Sequence, residues 1–361
     1  MSTFAALSAL GSPTFWLSLF TLIGIYAAVT MLLNVEAGWG GMWDLGIVGL
    51  LAIGSYTYTI TTNPPGEFDV TYAPGWPVWA GILAAMAMTG IVAFLVGLPA
   101  LRARREYFLI ITFAFAEVFR QLAINLRGVT HGTVGFYSVA RPFESFFERN
   151  PLRAVLLAVT WGAALLVYGL TRRVSRSGYG RALRAMRDNE PAALSLGIRV
   201  SWLRLQTFVL VGIAVGGVAP LYLWWLSYAN PSVFEPQFTF TAWTALVLGG
   251  IASRFGAVLG VAVLLLFTEL VELIEVPLEF RNVLVAVHPL AIGLLLVLVL
   301  RFRPEGLLSE RKTFGERARR PTLLDGAVDS AFDLAGTVGA AVASRMRRLR
   351  GSPDAPQGVA P

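Results

Sequence analysis

The chain has 361 residues, 56% of them hydrophobic and only 14% charged, with a mean hydropathy of +0.65. A soluble domain carries roughly a quarter charged residues, so this composition excludes an ordinary soluble fold and points to an all-α polytopic membrane protein of about eight to ten membrane segments. The formal charge of +7 lies in a few arginine clusters, Lys312 is the only lysine, and there is no cysteine. Disulfides, thiolate metal sites and a P-loop with its lysine are thereby excluded, and the arginine placement reads as orientation rather than nucleic-acid binding.

In chain order, Met1 to Pro13 is uncharged and lacks the basic start of a signal peptide. Phe15 to Leu33 is long enough to span. Asn34 to Asp44, NVEAGWGGMWD, is a Gly-rich polar interruption before Leu45 to Ile60 resumes the apolar pattern. Backbone at membrane depth is irregular only where it is buried in protein or lines a cavity. The interruption therefore predicts a broken or re-entrant helix pair, with a tight surface turn as the plainer reading, and makes Asn34, Gly38 and Gly41 candidates for a translocation path.

Asn63 to Trp76 is a Pro/Gly loop with Glu67, Asp69 and no basic residue, which suits the outer face, and the segment after the Trp76 to Leu98 span carries three arginines, which suits the inner one. Tyr107 to Asn125 returns across the membrane with Glu117 and Arg120 near its middle. Charge there pairs or faces a water-filled path, and the i, i+3 spacing allows an intrahelical pair; both residues join the path candidates. Thr130 to Gly135, THGTVG, places Thr130, Gly132, Thr133 and Gly135 near a helix end, where backbone N–H groups and hydroxyls offer a neutral hold for a carboxylate. An ordinary turn is the alternative. His131 and His288 lack a convincing Ser or carboxylate partner and no HExxH occurs, so neither an enzymatic site nor a metal site is expected, and no cofactor.

Arg153 to Leu170 leads into a polar, Arg-dense island, Arg172 to Arg204. Gly180 to Gly197 reads as a short helix or helix pair, with Arg181, Arg184 and Arg187 on about one face. Pro191 breaks or restarts it, with Asp188 or Asn189 as cap; Ala192, Ala193, Leu194 and Leu196 supply a small apolar face, and Gly197 ends it. Such a loop is either a topology signal or a docking helix, and the ordered pattern favours docking. Gln206 to Leu226 spans without a charge, with Gly212, Gly216 and Gly217 permitting close packing. Phe240 to Ala252 is too short to cross straight and is broken at Gly249-Gly250. Ala257 to Ile274 includes Glu269, deep enough to seek Arg120 or another helix, and Asn282 to Leu300 is the last span. Domain boundaries follow: a membrane domain over 1–308 and a tail over 309–361 that is amphipathic or disordered, in which Asp325, Asp329 and Asp333 precede Arg345, Arg347, Arg348 and Arg350.

Several of these stretches together resemble the permease subunits of bacterial ABC importers for branched-chain amino acids. LPALRARREYFLIITFAFAEVFRQLAIN, from Leu98, is the strongest match. THGTVG is similar to that family's Thr-Gly-Gly-Thr-Asn-Gly with His131 in place of a glycine, and TALVLGGIASRFGAVLG and the terminal FRPEGLL follow in the expected order. Glu190, Ala192, Ala193 and Gly197 loosely match the Glu-Ala-Ala…Gly pattern by which such loops insert into an ATPase subunit, whereas Glu36, Trp39, Trp43 and Asp44 depart from the family frame. The resemblance implies an inner-membrane permease with a cytoplasmic C-terminus. It also implies two ATPase partners docked on the 172–204 loop, a homologous second permease, an extracytoplasmic solute-binding protein, and branched-chain or related neutral amino acids as substrate. Urea or short amides are the nearest alternative substrate, and an ATP-independent secondary carrier is the alternative of another class.

Overall fold

The computed structural model describes residues 12–64, 74–100, 105–137, 139–142, 149–272 and, with gaps, 290–308. The chain divides into two compact units, Met1–Glu310 and Arg311–Pro361; the described residues all lie in the first, and the tail expected beyond residue 308 lies outside them. The regular elements described are helical, with one isolated bridge between Phe136 and Ala229.

Ser12 opens α1 (Pro13–Asn34): its hydroxyl accepts from the Phe15 N–H at 3.4 Å, and Pro13 sits in the first turn, where a missing N–H costs nothing. A π-helical turn, Val35–Trp39, continues it. Residues 40–46 then run without regular helix to α2 (Ile47–Thr62). Apart from Trp43 and Leu45, residues 34–46 are buried, and this decides for a broken helix over a wet surface turn. The remaining helices are α3 (Val78–Ala100), α4 (Arg105–Asn125), the single turn α5 (Arg127–Thr130), α6 (Arg149–Arg176), α7 (Gly178–Asp188), α8 (Glu190–Ser195), α9 (Val200–Leu226), α10 (Pro236–Gly249) and α11 (Arg254–Glu272), with a 3-10 turn at Pro231–Phe234.

Six of these are long and apolar enough to cross a membrane: α1 with its π turn, α3, α4, α6, α9 and α11. The two short apolar helices, α2 and α10, have 16 and 14 residues. The expected last span lies only partly among the described residues, of which those between 290 and 302 are helical. The chain is thus an all-α, multi-pass membrane protein.

Backbone proximity, rather than long side chains, joins the centre. Gly212 and Gly216 of α9 face Ala93, Thr89 and Ala85 of α3, which places the two helices antiparallel, while Gly54 of α2 faces Gly216 and Ala219. Small residues of this kind are how helices pack in lipid, where no hydrophobic force draws apolar faces together. α10 and α11 form an antiparallel hairpin on the same principle: a Cβ added at Gly249 would fall on the Gly256 carbonyl, and one at Gly260 on that of Ala245. These alternations give the bundle two ends. Residues 38–46, the α7–α8 loop and residues 250–254 share one, here the loop end. Tyr58, Ala140 and Trp224 meet at the other through hydrogen bonds, Tyr58 Oη donating to the Ala140 carbonyl at 2.5 Å and Trp224 Nε1 to Tyr58 Oη at 3.1 Å.

Candidate functional site

The interruption after α1 is where four parts of the chain converge. Asn34 Nδ2 donates to the Ser253 carbonyl at 3.0 Å and its Oδ1 accepts from the Ala252 N–H at 2.8 Å, and Trp39 Nε1 donates to the Ala252 carbonyl at 3.0 Å. Asn34 is therefore a buried clamp between α1 and the α10–α11 turn. Gly38 fits beneath it: a Cβ there would collide with Asn34 Oδ1 and come within 2.7 Å of the Ala252 nitrogen. Gly41 has φ 61°, the left-handed region that favours glycine. On the other side Thr112 of α4 accepts from the Leu45 N–H at 3.1 Å, and Trp243 of α10 donates to the Asp44 carbonyl at 2.7 Å.

Inside this junction lie two acids. Glu36 and Asp44 have no exposed surface, and the two carboxyls are neighbours that act on each other. Asp44 Oδ1 accepts from the Gly46 N–H at 2.6 Å; among the described residues, Asp44 Oδ2 and both Glu36 oxygens have no hydrogen-bond partner. Burial pushes the Asp44 carboxyl up to about 6, against the Gly46 N–H and the Thr112 hydroxyl, which hold it down. Sequence reading marks both residues only as departures from a family frame. Its available signal was two acids in an apolar, Gly-rich run without a base, but nothing in that run says they meet.

The loop helices attach directly to the junction. Ser177 caps α7, accepting from the Gly180 N–H, and Asn189 caps α8, accepting from the Ala192 N–H at 3.1 Å, with Pro191 in the first turn. The expected helix pair is present, with Asn189 rather than Asp188 as the cap. The three arginines of α7 do not act as one outward face. Arg187 Nη1 donates to the Gly38 carbonyl at 2.5 Å and Nε to Asp188 at 2.8 Å, and Arg184 donates to the Ser175 carbonyl at 3.0 Å; Arg181 is exposed. Glu190 pairs with Arg204 of α9 at 2.5 Å, and Ala193 is buried. What α8 presents outward is apolar: Leu194 and Leu196 are 54% and 79% exposed, beside exposed Pro191 and Ala192. Gly197 has φ 81° and open space where a side chain would go.

Two further sets of path candidates lie elsewhere. On α4, Arg120 grips Glu117 with two bonds, Nε to Oε2 at 2.9 Å and Nη2 to Oε1 at 2.6 Å, and Gln121 adds a third at 2.8 Å. This is the intrahelical pair the spacing allows, with Glu235 as a further neighbour of Arg120; the side chains keep 22% and 35% exposure on a face that also bears exposed Gln121 and Asn125. At the far end Thr130 donates to the Ala123 carbonyl at 2.6 Å, so its hydroxyl proton is engaged within α4–α5. His131, Gly132 and Gly135 all have positive φ, and His131 Nδ1 lies 2.8 Å from the Gly135 carbonyl. Gly135 packs against Ala229, and the Thr133 carbonyl accepts from Asn230 at 2.8 Å. The segment is a turn latched to residues 229–230.

Comparison with known proteins agrees with this architecture. The family model described as "Branched-chain amino acid transport system / permease component" matches residues 15–300. The chain is 29% identical over 310 residues to the high-affinity branched-chain amino acid transport system permease protein LivM of Escherichia coli, covering 80% of this chain and 68% of that one. It is 26% identical over 325 residues to the probable branched-chain amino acid transport permease protein LivM of Methanocaldococcus jannaschii, covering 80% and 91%. It is also 36% identical over 161 residues to the permease protein BraD of Pseudomonas aeruginosa, covering 44% and 47%. No solved structure matches. An all-helical membrane bundle whose family model spans most of its length leaves one assignment: the chain belongs to the branched-chain amino acid transport system permease family.

Proposed function

We propose that this chain is the permease subunit of an ABC importer that carries branched-chain or related neutral amino acids into the cytoplasm, with ATP hydrolysed on two separate subunits. The observation that carries the reading is the α7–α8 pair. Its outer surface is an apolar knob, Leu194 and Leu196, of the kind a partner's cleft covers, while its inner side reaches the interrupted helix through Arg187 and Gly38. A push or pull on the knob is thereby transmitted to the backbone of α1 without a flexible linker.

The polar face of α4 supports a second permease subunit. A charged pair with Gln121 and Asn125 beside it is costly against lipid, so this face is placed against a partner or a shared aqueous path. The arginines concentrated around α7–α8 support a cytoplasmic loop end, and Leu307 and Leu308, whose N–H groups donate to the carbonyls of Leu248 and Gly249, support the same side for the C-terminal end. A solute-binding protein then delivers substrate at the far end.

The test is mild-detergent purification of the full chain from its native membrane, with co-purifying proteins identified and ATPase activity measured with and without leucine and the recovered binding protein. Two ATPases, a sister permease and leucine-stimulated hydrolysis are expected. A chain that purifies alone and transports alone overturns the proposal.

A further inference from the structure

Glu36 and Asp44 have no role in the docking reading, yet they are the two fully buried acids of the loop end. Ionised carboxylates only accept hydrogen bonds, and two facing each other in a dehydrated site repel while leaving oxygens unsatisfied. Among the described residues, three of the four oxygens here have no hydrogen-bond partner. Among the described residues the neighbouring elements offer little else: Thr112 of α4 acts on Asp44, and the bonds of Thr112, and of Thr239 and Trp243 on α10, include those to the backbone of residues 44–48. Among the described residues, the charged groups of the other elements at this end are Arg181, Arg184, Arg187 and Asp188 on α7, Glu190 on α8, Arg204 on α9 and Arg254 at the start of α11. Arg187 binds the Gly38 carbonyl and Asp188, and Arg204 binds Glu190.

We infer that Glu36 and Asp44 form a proton-binding site, a carboxyl–carboxylate pair in which one acid donates its O–H to the other across the interrupted helix. One proton turns a repulsive contact into a charge-assisted hydrogen bond, lowers the buried charge from two to one, and fits without a cavity. The donor and acceptor exchange roles, so the proton belongs to the pair. The raised position of Asp44 agrees with this. Glu36 and Gly38 share one π turn, so losing the proton adds a second negative charge to the short segment whose Gly38 carbonyl Arg187 holds.

The experiment is infrared spectroscopy of the full chain in lipid nanodiscs, titrated in H2O and D2O and compared with Glu36→Gln, Asp44→Asn and the double variant, each close to isosteric. A protonated-carboxyl band that shifts in D2O is expected at pH 7 in the parent, absent from the double variant, with each single variant moving the titration midpoint by at least one pH unit, a tenfold change in proton affinity. A parent without that band at pH 7, or a band unchanged in the double variant, overturns the site. So does a band abolished by sodium or potassium at constant pH, which would assign an alkali ion instead. If the double variant fails to fold, the parent's band and the single variants decide. No ATP or partner enters this measurement, so its failure leaves the importer proposal standing, and failed co-purification leaves the pair.

Discussion

Replacing Asn34 with alanine removes both arms of the clamp on the α10–α11 turn. The side chain donates to Ser253 at 3.0 Å and accepts from Ala252 at 2.8 Å, and Asn34 is 1% exposed. Hydrogen bonds between helices in membranes average about 0.6 kcal/mol, which for two bonds gives a floor of about 1 kcal/mol. Orphaning the buried Ala252 N–H costs about 1–3 kcal/mol, whereas the Ser253 carbonyl keeps the Ala257 N–H at 3.3 Å; Ala252 has little freedom to find another partner, because its φ of 67° already holds it in a left-handed turn. The expected loss is about 1–4 kcal/mol. Reversible unfolding in mixed detergent–lipid micelles, followed by tryptophan fluorescence, measures it, with the unchanged slope against denaturant as the check that only stability moved. A variant within about 0.5 kcal/mol of the parent would refute the reasoning, since the turn would then be held by something other than this side chain.

Gly38→Ala should fold poorly, by about 1–3 kcal/mol of overpacking, because its methyl meets Asn34 and the Ala252 nitrogen; yield and unfolding midpoint report it. Exchanging Glu117 and Arg120 should recover more folded protein than either neutral substitution, since the bidentate pair can form in both orders; size-exclusion recovery is the readout, and no recovery argues against the pair. Leu194→Ser with Leu196→Ser should leave stability within about 0.5 kcal/mol, as exposed positions do, while ATPase retention falls at least tenfold in co-purification. Asp44 adds a pH dependence with a definite sign. A folded-state carboxyl raised to about 6 from 3.8 contributes stability that is fully present below about 4 and is lost as pH rises through about 6. Unfolding midpoints should therefore fall from pH 5 to pH 7.5 in the parent and respond less in Asp44→Asn.

Much of the bundle was legible because its signals are local. Apolar runs of spanning length, the glycine pairs and the cap at Asn189 each act within one or two turns of chain, and the helices formed where these signals placed them, whereas the Ser177 cap of α7 was not read from the sequence. The α7–α8 pair was legible for the same reason. The direction of its arginines was not: three-residue spacing fixes a shared face but says nothing of whether that face meets a partner or the chain's own bundle, and Arg184 and Arg187 turn inward. The Thr130–Gly135 stretch shows the same limit, since composition offered hydroxyls and N–H groups to a ligand and tertiary contacts to Ala123 and residues 229–230 engage part of them. Glu36 and Asp44 were the least legible. A π turn followed by irregular backbone has no period, so no spacing rule brings residues 36 and 44 face to face.

The glycine-mediated contact of α2, α3 and α9 has a mechanical consequence. Where helices meet backbone to backbone, as at Gly54, Gly212 and Gly216, small residues leave few rotamers to change at the contact, and one helix has little freedom to slide past another there. The three form a stator. Motion that opens or closes a passage is then expected at its borders, where α4 carries its charged pair and the interrupted end of α1 carries its acids.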